Sequence, residues 1–439
     1  MVTLASQVLI ESKFKWNQSQ KNAWLEEREK ALDYYHGETD KYTNVYFADD
    51  LQIPRGNINI TKRIIDRTSL VYMVPPKRMI NGEQNDDYNK ITHAKDHKFQ
   101  RWERMINLLD LVPLRVVWRI DHFEYDLIFS FEPIFSTDPM NPVAIQYPIQ
   151  SFDDQKESRD EVWAYVDAQQ SFLFSKATGN RVIMEGDDPE DTSHNYGLMP
   201  IIWGFKDGVP ERGFLHTGVA NDLIRVNEGI NVAKTNGWAN IQFQSFGHEW
   251  ISGSDIPQDL KISQNEAALL GDDGQMGIVS PPNTIDSVSQ SIIDDSKLIG
   301  HTYHLSDAFV EGTTAESGVA LRLRNQELID DRKSDTTRCR NYEHEAYKIE
   351  QAMAKVEIGK NFPDDFSVDY QESIEVLSQE QQREKWDWEV SNGYKDKADI
   401  LMEQNPDKFT TREEAQTYLA ERSSLPAETD LFGSFVDNA

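Results

Sequence analysis

From Ser317 to Val356 the sequence keeps a helical pattern almost without a break, about forty residues or roughly 60 Å of helix at the standard rise. That is several times the usual helix length. A rod of this size is poor material for a compact pocket and good material for a spoke or lever in a large assembly. It is headed by the irregular stretch Ser306-Asp307-Ala308-Phe309-Val310-Glu311-Gly312-Thr313-Thr314-Ala315-Glu316 and opens on Ser317-Gly318-Val319-Ala320-Leu321. The far end carries an apolar seam at Tyr342, Ala346, Ile349, Met353 and Val356. The middle, Asp330 to Asn341, is polar on all sides, which fits a segment that is exposed, kinked or bridging between layers.

Two further stretches read as long helices. In residues 214–247, Leu215, Val219, Leu223, Val226, Ile230 and Ala233 recur at steps of three and four, one narrow seam suited to a neighbouring helix. Residues 287–305 follow as a second. Between them lies a turn-rich stretch with Gly253, Pro257, Gly271, Gly274, Gly277, Pro281 and Pro282. Short strands are expected there at 249–251 and 277–279, flanking a small element at 258–270.

The N-terminal part reads mostly as helix. Trp24 to Tyr35 stops at Gly37. Asn59 and Thr61 can cap a helix running to Tyr72, which Val74-Pro75-Pro76 ends. Lys77 to Asp87 reads as a polar connection, and Asn89 to Trp118 as helix interrupted near Pro113. From Phe123 to Phe131 the pattern alternates and is aromatic-rich, as strands are. Strands follow at 144–147, 162–166, 172–175 and 181–184, with Thr178-Gly179-Asn180 as a hairpin turn. Glu185 to Asp191 reads as a solvated acidic loop, 197–205 and 366–370 as strands, and the rest as acidic helices. The fold class expected is α+β.

Acidity limits the partners. The chain of 439 residues carries 45 Lys and Arg against 75 Asp and Glu, a formal net charge of −30. Tight binding of a polyanion needs many cations that release counterions, so any contact with nucleic acid is expected to be slippery. The single cysteine, Cys339, allows no internal disulfide and no cysteine-based metal site. There is no secretory signal pattern and no run of eighteen apolar residues. A soluble protein made in a reducing cytoplasm is expected.

Catalytic motifs are missing. No Gly-x-x-x-x-Gly-Lys-Ser/Thr phosphate cradle, His-Glu-x-x-His zinc motif or Gly-x-Ser-x-Gly nucleophile elbow occurs. His93 and His97, at i and i+4, have ligand spacing but no Glu in the zincin position. Adjacent acidic pairs such as Asp272-Asp273 and Asp294-Asp295 are expected by chance in so acidic a chain. No catalytic residue, metal or cofactor is expected.

The order of parts resembles the portal proteins of tailed bacteriophages, of the type with a helical stem and a tunnel loop. Asp33-Tyr34-Tyr35-His36-Gly37 resembles the early Tyr-Tyr-x-Gly element. Asn59-Ile60-Thr61 through Tyr72 with Pro75-Pro76 resembles the next helix and its proline exit. Tyr196-Gly197-Leu198-Met199-Pro200-Ile201 resembles the strand before the stem, and Asp222-Leu223-Ile224 with Asn227 the start of the first stem helix. Ser317-Gly318-Val319-Ala320-Leu321 is the most specific match, at the start of the long helix after the tunnel loop. Trp386 through Asp399 with Glu413-Glu414 resembles the C-terminal helical part.

The resemblance implies a wing in residues 1–212 and 317–400, a first stem helix in 213–247 and a clip in 248–287. It further implies a second stem helix in 288–305, a tunnel loop in 306–316 and a modest helical crown in 401–439. It implies a ring of twelve copies at one capsid vertex of the virion, made in the host bacterial cytoplasm. Such a ring conducts double-stranded DNA during packaging and ejection. It touches the major capsid protein, recruits terminase and later holds the head–tail adaptor, with no membrane partner and no enzymatic activity. Asp307, Phe309, Val310, Glu311 and Glu316 would belong to the tunnel loop, and Lys297 would lie on the inner face of the second stem helix. Leu215, Val219, Leu223, Val226 and Ile230 would pack the stem. Twelve helices at about 10 Å spacing close a ring near 19 Å in radius, and subtracting about 5 Å for each wall leaves roughly 28 Å of lumen. That admits a duplex, and an acidic wall within the screening length would repel phosphate. The alternatives are a smaller-role head–tail adaptor, an acidic metal-dependent DNA-processing enzyme and a cellular scaffold of long helices.

Overall fold

A computed structural model describes residues 18–47, 53–136, 138, 140–149, 162–183, 191–210, 214, 218–246, 248–252, 274–279, 284–306, 326–370, 379–404 and 412–423. The protein is mixed α+β. It divides into two compact units, residues 1–314 with 324–373, and residues 315–323 with 374–439.

The larger unit opens with helix α1 (Gln18–His36), which Gly37 ends at φ +83. Helix α2 (Ile60–Thr68) is capped by Asn59, whose side chain accepts from Lys62 N at 2.8 Å. After strand β1 (Lys77–Ile80) come α3 (Asp86–Ile91) and α4 (Lys95–Leu109). Strands β2 (Leu111–Arg119), β3 (His122–Leu127) and β9 (Ile201–Phe205) form one antiparallel sheet in the order β3-β2-β9. Strands β4 (Glu132–Phe135), β5 (Pro142–Pro148), β6 (Val162–Asp167), β7 (Ser171–Ser175) and β8 (Arg181–Val182) form a second, in sequential order. Helix α5 (Asn221–Phe246), strands β10 (His248–Ser252) and β11 (Gln275–Val279), and helix α6 (Ile285–Thr302) come next. Helix α7 (Gln326–Glu357) and strand β12 (Phe366–Asp369) close the unit, with β12 pairing antiparallel to β1.

The core between α4, α7 and the β3-β2-β9 sheet is aromatic. Phe99 meets Tyr72, Trp102 and Tyr125 edge-on at 5.5, 5.2 and 5.5 Å between centroids. Burial of each such ring contributes on the order of 2–3 kcal/mol. Trp102 also donates its indole N–H to Val112 O at 2.8 Å. Strand β9 crosses this helix so closely that a Cβ at Gly204 would fall 2.5 Å from Trp102 Cζ2.

A buried ion network fixes α7. Arg78 grips Glu343 with two bonds of 3.0 and 2.7 Å. Lys95 Nζ lies 2.9 Å from Glu343 and 2.9 Å from Glu350, and Tyr88 and Tyr125 donate to Glu350 at 2.6 and 2.7 Å. Burial alone would push the Glu343 carboxyl up, but the Arg78 and Lys95 charges outweigh it and hold it down at about 2. Glu343 and Glu350 are two turns apart on one helix face, so only one axial position of α7 meets both cations. Such a network specifies register more than it adds stability.

Several sequence expectations are corrected. Leu111 to Trp118 is strand β2, not the end of a helix; its Val112, Val116 and Val117 favour the pleated surface. Pro113 fits because its missing N–H falls beyond the β3 ladder, which starts at Leu114. Lys77 to Ile80 is a strand, not a polar connection, paired with a segment far along the chain. The helix after Asn59 ends at Thr68, and Val71–Met73 is a separate 3-10 turn. The strand expected over 123–131 ends at Leu127 as β3, with β4 starting only at Glu132, and the helix expected from 214 begins at Asn221. The hairpin at Thr178-Gly179-Asn180, both short strands of the turn-rich stretch and the strand near 366–370 lie where the sequence placed them. The stretches 185–190, 258–270 and 317–325 lie outside the described residues.

The smaller unit contains helices α8 (Gln379–Ser391), α9 (Lys397–Gln404) and α10 (Arg412–Ser423). Gly393 at φ +75 ends α8: Tyr394 N bonds to Glu389 O at 2.9 Å and Gly393 N to Val390 O at 3.1 Å. Asp396 and Asp399 then form a reciprocal cap, Asp396 Oδ1 accepting from Asp399 N at 2.9 Å and Asp399 Oδ2 from Asp396 N at 3.0 Å. Ala398 and Ala415 are buried where α9 packs on α10.

Candidate functional site: a helical hairpin joined by a β-ribbon

Helix α5 has 26 residues, about 39 Å, and α6 has 18, about 27 Å. Between them β10 and β11 pair antiparallel, from His248 opposite Val279 to Ser252 opposite Gln275. The helices run antiparallel. Tyr303 donates to Asp222 Oδ1 at 2.9 Å where α6 ends and α5 begins, and Asn240 Nδ2 meets Thr284 Oγ1 at 2.5 Å where α5 nears its end and α6 begins. Gly237 faces Val288 across the hairpin, where a Cβ would make ordinary van der Waals contact at 3.5 Å with Val288 Cγ1.

The hairpin is anchored through a polar stripe. Asn227, Asn231 and Thr235 recur every four residues on α5 and are all fully buried. Their side-chain oxygens accept the backbone N–H groups of Thr61, Ile58 and Gly56 at 2.9, 2.8 and 2.9 Å. Asn227 Nδ2 returns a bond to Ile58 O at 2.8 Å. Asn and Thr are weak helix formers. Here they satisfy an irregular backbone segment that would otherwise be buried with unpaired donors. The segment comes so close that a Cβ at Gly56 would lie 2.7 Å from Lys234 Cβ and 2.9 Å from Asn231 O, so only glycine fits. Leu223, Ile224 and Ile230 bury the apolar side of α5.

The outer face of α6 is exposed and acidic. Ser287, Gln290, Ser291, Asp294, Leu298 and His301 follow helical spacing along it, with Asp286 and Asp295 beside them. Leu298 is 69% exposed. Among the described residues no cluster of His, Cys, Asp and Glu is arranged to hold a metal ion, and no helix is long and apolar enough to cross a membrane.

At the base of the hairpin is a cavity of 540 Å³ lined by Asp110, Lys206, Asp207, Asp222, His304, Asp331 and Asp335 among others. Burial pushes the Asp110 and Asp335 carboxyls up. The short ion pair with Asp331 pushes the His304 imidazole up and joins the end of α6 to the start of α7. The lining holds acids, an amine, an imidazole and the hydroxyls of Thr68, Thr302, Tyr303 and Ser334.

Of the residues singled out in the sequence, Asp307, Phe309, Val310, Glu311, Glu316 and Leu215 lie outside the described residues. Lys297 lies half-buried on α6. Leu223 and Ile230 are buried on α5 and Val226 is half-buried. Val219 precedes the helix, contrary to its place in the expected seam. The α7 seam holds at Ala346, Ile349 and Met353, whereas Val356 is 45% exposed. The polar middle of α7 bridges layers: Arg332 Nε donates to Leu70 O at 3.2 Å and Arg338 to Lys206 O. Cys339 is buried. His93 and His97 do not share a helix, because His93 lies in the turn before α4, where its ring meets His122 at 4.8 Å. Sequence reasoning missed the stripe of Asn231 and Thr235. Its signal was amides and hydroxyls at four-residue steps beside an apolar seam.

No family model matches the chain, and no curated protein is significantly similar to it.

Proposed function

We propose that this chain is a portal protein of a tailed bacteriophage, one copy of a ring of twelve at a single capsid vertex. The observation that carries the reading is the excursion of helix α5, the β10–β11 ribbon and helix α6, anchored at its base to an α/β body. In this reading the two helices are the stem, the ribbon belongs to the clip and the body is the wing. The exposed carboxylates Asp286, Asp294 and Asp295 on α6 suit a surface past which duplex DNA slides without sticking. The ring would take the major capsid protein, the terminase and the head–tail adaptor as successive partners. It would act as a conduit and docking platform without enzymatic activity or cofactor. Negative-stain electron microscopy of the purified full chain tests this. Closed rings with a central channel and rotational symmetry are expected. Particles that never close around an axis, in isolation and in the native virion alike, refute it.

A further inference from the structure

Strand β2 places Arg115 and Arg119 on one face, four residues apart. Arg115 reaches from its own sheet to the other: its guanidinium donates to Tyr147 Oη at 2.5 Å on β5 and to Ser171 Oγ at 3.0 Å at the start of β7. Its Nε is buried and donates to no atom among the described residues. Beside it, residues 191–194 are stitched to the same end of β7, with Ser171 N bonding to Thr192 O at 2.9 Å and His194 N to Gln169 O at 3.0 Å. Arg181, on β8, closes the far side by donating to Asp191 O at 3.0 Å. Together these groups line a cleft of 430 Å³ whose wall carries Arg115, Arg119, Arg181, Ser171, Thr192 and Ser193.

Three guanidinium groups around one hydroxyl-rich concavity stand out in a chain with a formal charge of −30. Among the described residues the wall holds one carboxylate, Asp191. Its Oδ1 accepts from Ser193 N at 2.8 Å and Ser193 Oγ at 2.6 Å. Asp126 stands 3.7 Å from Arg119, a loose pairing in which Arg119 remains 57% exposed at the mouth. Among the described residues the wall sets three guanidinium groups against one carboxylate, and guanidinium forks match oxyanions.

We propose that this cleft is a binding site for the phosphate group of a small phosphorylated ligand. The volume falls within the range of small-molecule sites, about 300–1,000 Å³, and exceeds what a bare ion needs. Arg115 and Arg119 on β2 and Arg181 on β8 all open into this one cleft. Arg115 anchors the phosphate from the floor and Arg119 closes on it from the rim. The site stands apart from the helical hairpin and does not depend on the portal reading.

The test is calorimetric titration of the full chain at low ionic strength with inorganic phosphate, with citrate and with a short DNA duplex, for wild type, Arg119→Gln and Arg115→Gln. Saturable phosphate binding is expected, weakened about tenfold in Arg119→Gln through loss of one charge-assisted contact. Arg119 is a surface residue, so that variant keeps the fold, and it decides the matter if Arg115→Gln does not fold. No saturable phosphate binding, or equal binding by Arg119→Gln, overturns the proposal. Citrate bound as tightly as phosphate overturns the phosphate assignment, and duplex binding lost in Arg119→Gln overturns the small ligand.

Discussion

Lys95 shows what a single side chain does here. Its ammonium is fully buried between two glutamates, and its removal leaves Glu343 with Arg78 as its one cation and Glu350 with only the hydroxyls of Tyr88 and Tyr125. Lys95→Met should cost about 3–5 kcal/mol, measured by denaturant unfolding at neutral pH. A loss below about 1 kcal/mol would show that the network contributes little. The pH dependence should change with it. Glu343 is held at about 2 against an ordinary 4.5, so its contribution is present above 4.5 and lost as pH falls toward 2. With one cation gone its carboxyl rises and that window narrows from below. None of this was legible in the sequence, where Lys77 to Asp87 read as a polar connection. The partner of Arg78 lies 265 residues away, and only the fold brings it near.

Elements were more legible than contacts. The helices α5, α6 and α7 and the small ribbon strands announced themselves through periodicity and turn residues. The errors fell where tertiary pairing overrides local preference. Strand β1 exists because β12 arrives beside it, and β2 was hidden behind a proline and the end of a preceding helix. The stripe on α5 carries the prediction at this scale. Asn231→Ala strands the Ile58 N–H without an acceptor. It should cost about 1–3 kcal/mol in thermal or denaturant unfolding, with faster amide exchange at Ile58. Unchanged exchange there would mean the segment is held from elsewhere. No sequence signal marked the close approach to Lys234 that requires glycine at 56.

For the whole molecule, composition speaks more loudly than any motif. If twelve copies close into the proposed ring, their formal charges sum to 12 × −30 = −360, and neighbouring subunits repel unless screened. Ring formation by the purified protein should therefore rise with salt, since the Debye length falls from about 30 Å at 0.01 M to about 10 Å at 0.1 M. Mass measurement across a salt series checks this, and rings that dissolve as salt is added would point to assembly held by ion pairs instead. The sequence conveyed the acidity and the order of parts. It could not convey how two sheets and a long helix share one core, because those contacts join distant segments. One consequence concerns α7, whose 32 residues span about 48 Å. A shaft keyed by Arg78 and Lys95 to two teeth on one side does not creep. It stays put or jumps by a whole notch, and a jump at one tip reaches the other undiminished.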